Sequence, residues 1–149
     1  MTTGTPRSAV EVLGLEYDWL GCDESGCVAL FSTAGSGYAP GAFLDDTDAH
    51  DSAIEAILAL PESTEAECFP DLAPGLVNTW RLVAERGLYA YDCDPNGGPY
   101  RLVASPADPT RLEDLPAVVV DTAVRLTDSL RFQFHSVVST EMLQANEVP

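Results

Sequence analysis

A nucleophile needs a base within reach, and this chain sets Cys22, Cys27, Ser32 and Ser36 against only two histidines, His50 and His135. No G-x-S-x-G elbow or cysteine-protease signature surrounds any of them, so no residue is assigned a catalytic role. The run "STAGSGYAPG", residues 32–41, invites a search for a phosphate-cradling loop. A P-loop requires a lysine after its last glycine, and the chain contains no lysine. A dinucleotide fingerprint fails too, because Pro40 stands where a glycine must let helix and strand approach. The segment therefore reads as a chain reversal leaving a strand, with a recognition loop as the alternative. "DCDPNGG", residues 92–98, opens like a calcium loop, with Asp92, Asp94, Asn96 and Gly97 in place. Its twelfth position is Val103 instead of a bidentate glutamate, and its flanks alternate as strands, so a hairpin turn is expected. "DDTDAHD", residues 45–51, gathers four carboxylates with His50, but consecutive acids at a helix start face water instead of converging on a metal. No metal site and no cofactor are assigned.

The four cysteines, Cys22, Cys27, Cys68 and Cys93, lack C-x-x-C spacing and read as small buried hydrophobes. Cys22 and Cys27 flank a short turn, where a disulfide is geometrically conceivable. Charge is the strongest compositional feature, at −17 over 149 residues. Such a balance argues against nucleic acid and anionic lipid as partners, since their arrays of phosphates would be repelled. Between Ser8 and Trp80 there are fourteen acids and no Lys or Arg, while six of the seven arginines follow from Arg81 onward. The surplus acid either keeps the protein soluble or forms a negative face that steers a basic partner. The N-terminus lacks the apolar stretch of a signal peptide, and no run is long enough for a membrane span, so the expected compartment is the cytoplasm.

The elements that would position these groups follow from periodicity. "SAVE", residues 8–11, has capping-box form and suits a short helix or an edge strand. "LEYDWLG" and "CVALFST" flank the turn formers of "CDESG" and predict a hairpin, residues 16–21 with 27–33. From Asp48, the spacing of Ala53, Ile54, Ile57 and Leu58 predicts a helix ended by Pro61, followed by an acidic, proline-rich loop. A second helix is expected over 76–86 with Gly87 as its stop. "LYAYDCDPNGGPYRLVAS" predicts a second hairpin. Leu115 to Leu126 keep helical spacing, although "AVVV" also suits a strand. "SLRFQFHSVV" alternates and predicts a half-buried strand, and the chain past Glu141 is expected to fray. The sum is one α+β domain over residues 1–149 with flexible ends at 1–7 and 142–149. Its sheet would be mostly antiparallel, built from two hairpins and a C-terminal strand, with about three helices on one face.

The stretch "YDWLGCDESGCVALFSTAGSG", with the later "DLP" and "LRF", resembles small bacterial proteins that protect cells against secreted toxins, the immunity proteins. The chain departs from the best known group of these in lacking its N-terminal signature. The resemblance implies a non-enzymatic cytoplasmic inhibitor that covers a cognate, basic toxin domain and so needs a surface instead of an active site. Asp45, Asp46, Asp48, Asp51, Glu55, Glu62, Glu65 and Glu67 are the expected partner-binding acids, with Tyr38 and Phe43 as apolar anchors. Two other classes stay open: an acidic adaptor that binds a housekeeping protein, and a metal-dependent or cysteine enzyme.

Overall fold

The computed structural model describes residues 17–33, 38–40, 43–44, 46–68, 78–93, 99–126 and 130–146. The "SAVE" segment, Asp45, most of the glycine-rich run, the start of the second expected helix and the Asn-Gly turn lie outside them. The strands are β1 (Asp18–Cys22), β2 (Val28–Ser32), β3 (Ala66–Cys68), β4 (Tyr89–Cys93), β5 (Tyr100–Pro106), β6 (Val124–Arg125) and β7 (Val137–Val138). The helices are α1 (Thr47–Leu58), α2 (Thr79–Ala84), α3 (Ala117–Thr122) and α4 (Thr140–Asn146). The sheet runs β3-β5-β4-β2-β1-β6, with β7 also paired to β5. Four pairings are antiparallel, while β1–β6 and β2–β4 are parallel. An α+β fold with a mostly antiparallel sheet is what the hairpin and helix patterns predict.

Both faces of this sheet are covered, which explains why β1 and β2 carry apolar residues at both parities. One face holds Leu20, Cys22, Val28, Leu30 and Ala90 against α1, α2 and α3. The other is aromatic. Trp19 stacks on Phe31 at 4.1 Å, and Phe31 stacks on Tyr91 at 5.1 Å. Tyr100 meets both Trp19 and Phe31 edge-on. Such offset and T-shaped contacts add to the area that these rings bury. The C-terminal segment covers this face with Leu130, Phe132, Val138 and Leu143. Its alternation is real at Leu130 and Phe132, which are buried, but the chain makes a 3-10 turn, Phe132–Phe134, and Phe134 is 70% exposed. Only Val137–Val138 form the C-terminal strand. The chain expected to fray past Glu141 instead continues α4, because Leu143 is drawn into the aromatic core.

Other differences have local causes. The helix around "AVVV" stops at Thr122, and the chain straightens into β6 beside β1. The acidic loop contains β3, a strand too short for any period to reveal. Gly87 does end α2, at a φ of 93°, with Leu88 N–H donating to Val83 O and Gly87 N–H to Ala84 O, the paired bonds of a Schellman stop. Gly21 is fixed by packing. A Cβ there would lie 3.1 Å from Trp19, Phe31 and Leu126 side chains. Gly21→Ala is expected to cost about 1–3 kcal/mol through overpacking, read as a lowered urea midpoint with an unchanged slope.

Candidate interaction surface

Helix α1 begins at Asp46, whose carboxylate accepts the Ala49 N–H at 3.1 Å and caps the first turn. The 3.6-residue period then divides the helix. Thr47, His50, Ala53, Ile54 and Ile57 are buried, while Asp48, Asp51 and Glu55 are exposed. These three acids follow one another at i, i+3 and i+7, so they share the outer face, and α1 contains no Lys or Arg. Like charges at this spacing destabilise a helix by a few tenths of a kcal/mol per pair. The helix is nevertheless held firmly from beneath.

Its anchor is His50, 1% exposed, which accepts the Leu20 N–H on Nδ1 at 3.0 Å. The registered β6 pairs reach only Gly21 and Cys22 of β1, so this imidazole serves the strand where its neighbour runs out. Burial pushes the His50 pKa down to about 4, with Asp46 pulling weakly the other way. Phe43, expected as an exposed anchor, is fully buried and packs edge-on against His50 at 5.0 Å and against Tyr17. It is a core residue, because the chain entering α1 must cover the ring of His50. Tyr38 is half-buried at the edge of the aromatic core, and its carbonyl accepts the Tyr100 hydroxyl at 2.7 Å.

Glu62, Glu65 and Glu67 are exposed on a backbone that is itself tied down. Ser63 and Thr64 N–H groups donate to Glu85 O, Ala107 N–H to Glu65 O, and Asp108 N–H to the Thr64 hydroxyl. The Arg86 guanidinium clamps Leu60 O at 2.8 Å. The structure does not gather the expected acids into one patch. Helix α1 packs over β1, and β3 lies four strands away across the sheet, about 19 Å at ordinary strand spacing. Asp48, Asp51 and Glu55 form one site, with Glu62 on the connection, and Glu65 and Glu67 line a separate groove at the β3 edge.

The chemistry-bearing groups are placed as follows. His50 points into the core while Asp48 and Asp51 point out, so residues 46–51 do not converge. Among the described residues no three His, Cys, Asp or Glu side chains are grouped to hold a metal. Cys22 and Cys27 are free and buried. The register pairs Cys22 with Val28, so Cys27 projects to the opposite face and the two sulfurs do not bridge. Ser32 donates to Asp18 Oδ1 at 2.8 Å and accepts the Trp80 indole N–H at 3.0 Å, beside a cavity of about 430 Å³ that Asn78 and Thr79 also line. Among the described residues neither histidine hydrogen-bonds a serine or cysteine side chain.

Sequence reasoning missed Asp23. This carboxylate is 4% exposed. Its Oδ1 accepts from Ser25 N, Ser25 Oγ and Cys27 N at 2.8–3.0 Å, and its Oδ2 accepts from Phe132 N at 2.9 Å. An Asp two residues before Ser25 in a turn is a signal for the first set, but nothing local announces a partner 109 positions away. No family model matches the chain, and neither a curated protein nor a solved structure matches it. Among the described residues no helix is long and apolar enough to cross a membrane.

Proposed function

We propose that this protein is a non-enzymatic binding module that captures a basic protein partner on the acidic face of α1. The partner class that fits this reading is a cationic toxin domain, which the protein would neutralise by covering it. One observation carries the reading: Asp48, Asp51 and Glu55 form an exposed acidic stripe on a helix that contains no Lys or Arg and whose opposite face is locked into the core. Solubility alone asks for dispersed charge, whereas clustered like charges on one helix face cost helix stability. A fixed negative stripe accelerates encounter with a positive surface and selects against wrong partners.

The test begins with copurification from the native host and identification of the bound protein. The triple variant Asp48→Asn, Asp51→Asn, Glu55→Gln is then compared with the wild type by surface-binding kinetics. The variant should fold with little change in stability, since the repulsion removed offsets the lost interaction of Asp48 with the helix dipole, and its association rate at low salt should fall about tenfold. The wild-type rate should itself fall as salt rises. Rates that ignore both the substitutions and the ionic strength refute the electrostatic reading. Coexpression with the captured protein distinguishes neutralisation of a toxin, seen as rescued growth, from service to a housekeeping partner.

A further inference from the structure

At the other end of β1, two arginines do something unusual for so acidic a chain. Carboxylates outnumber guanidiniums by 24 to seven, yet neither Arg111 nor Arg125 forms an ion pair among the described residues. Each is instead held on a backbone carbonyl, Arg111 on Ser25 O and Arg125 on Val120 O at 3.1 Å. Their backbones are fixed by pairing on either side of the β1–β2 turn. Arg125 lies opposite Cys22 in the parallel β1–β6 register, and Arg111 is bridged to Cys27, with Leu112 N–H donating to Gly26 O at 2.8 Å. Both side chains line one cavity of about 400 Å³, within the size range of small-ligand sites. It lies beside the carboxyl ends of the parallel β1 and β6, where Cys22 and Arg125 are paired. Arg86 also bonds carbonyls, but it clamps two of them from a half-buried position and does not line this cavity.

We propose that this cavity binds a small molecule carrying a phosphate monoester, gripped between the Arg111 and Arg125 guanidiniums. Each guanidinium has five donors, of which one goes to its carbonyl and, in Arg125, a further one to the Cys22 sulfur. A single carboxylate is saturated by one such fork, whereas a phosphate monoester offers three acceptor oxygens and up to two charges to two forks. The acids in the wall do not fill the role. Asp23 already accepts four hydrogen bonds, Glu24 pairs with Arg131 at 3.7 Å, and Glu113 is solvent-exposed. Cys22, at the floor, is a buried thiol that donates to Asp23 O at 3.4 Å. This site is independent of the α1 stripe, so either reading can fail without the other.

The test titrates the full chain with inorganic phosphate and with glycerol 3-phosphate, following the arginine side-chain Nε–H resonances. Wild type should saturate with both and shift the Arg111 and Arg125 signals. Arg111→Gln and Arg125→Gln should each weaken binding about tenfold, as expected for loss of one charge-assisted fork. Arg81→Gln, on α2 and paired with Glu85 away from the cavity, should leave it unchanged. The two cavity variants change exposed side chains, and an unaltered thermal midpoint in either one makes that variant decisive. Absence of saturation at tens of millimolar, or equal binding by wild type and both cavity variants, overturns the proposal.

Discussion

Asp23→Ala is expected to lower unfolding stability by about 4 kcal/mol, the largest single effect on this molecule away from its aromatic rings. The residue joins the β1–β2 turn to the C-terminal segment, 109 positions away in the chain. Three donors from the β1–β2 turn meet on Oδ1, and the Phe132 N–H meets Oδ2. Removing the carboxylate strands buried backbone donors at Cys27 and Phe132, each costing about 1–3 kcal/mol without a substitute. Asp23→Asn separates the two halves of the effect. Its oxygen can still serve the turn, but its amide nitrogen opposes the Phe132 N–H, donor against donor, so about half the loss should remain. At about 3 °C per kcal/mol for a domain of this size, the alanine variant should melt about 12 °C lower. Near-UV circular dichroism should weaken as well, because Phe132 packs on Phe31 and Tyr91. A loss below about 1 kcal/mol would show that water replaces the carboxylate at no net cost.

Acidification should destabilise the fold through His50. Its folded-state pKa is about 4, lowered by burial from an ordinary 6.5. Between those values the unfolded chain binds a proton that the folded chain excludes. Stability is therefore fully present above about pH 6.5, declines as pH falls towards 4, and loses no more from this residue below that. The 2.5-unit difference corresponds to about 3 kcal/mol. The Nδ1 lone pair that a proton would occupy is the acceptor for Leu20 N–H, so protonation also detaches α1 from β1. Asp46 is the one charged group that opposes the shift. His50→Asn keeps an acceptor near Nδ1 and removes the titration. The two proteins share every carboxylate, so the difference between their urea-derived stabilities isolates His50. That difference should change by about 3 kcal/mol from pH 7 to pH 4 in favour of the asparagine variant. Parallel stability curves would show that the imidazole is not held neutral. If α1 carries the partner-binding stripe, partner affinity should fall over the same pH range.

Much of the fold was legible because it is written locally. The helix from Asp48 declares itself by the spacing of Ala53, Ile54 and Ile57, and the two hairpins by alternation around turn residues. Gly87 was readable as a stop because a positive φ at a helix end favours glycine. Misreadings arose where one pattern serves two structures. The alternation of "LRFQF" suits a strand, but a 3-10 turn laid across an aromatic sheet buries Leu130 and Phe132 equally well. Phe43 looked like a surface anchor beside an acidic run, and only the position of His50 on the buried stripe shows why it turns inward.

Composition and order alone settle the extreme negative charge, the absence of lysine and the lack of any arginine between Ser8 and Trp80. They also settle the outward stripe of α1, since its period is a property of neighbouring residues. What the tertiary structure decided is which distant groups meet. Residues 22 and 125 meet through the parallel β1–β6 pair, 27 and 111 through an antiparallel bridge, 23 and 132 where the C-terminal segment crosses the sheet, and 20 and 50 where α1 packs on β1. No local propensity encodes those encounters, because they are selected by the burial of two sheet faces at once. The acidic stripe was thus visible in the chain, and the arginine-lined cavity was not.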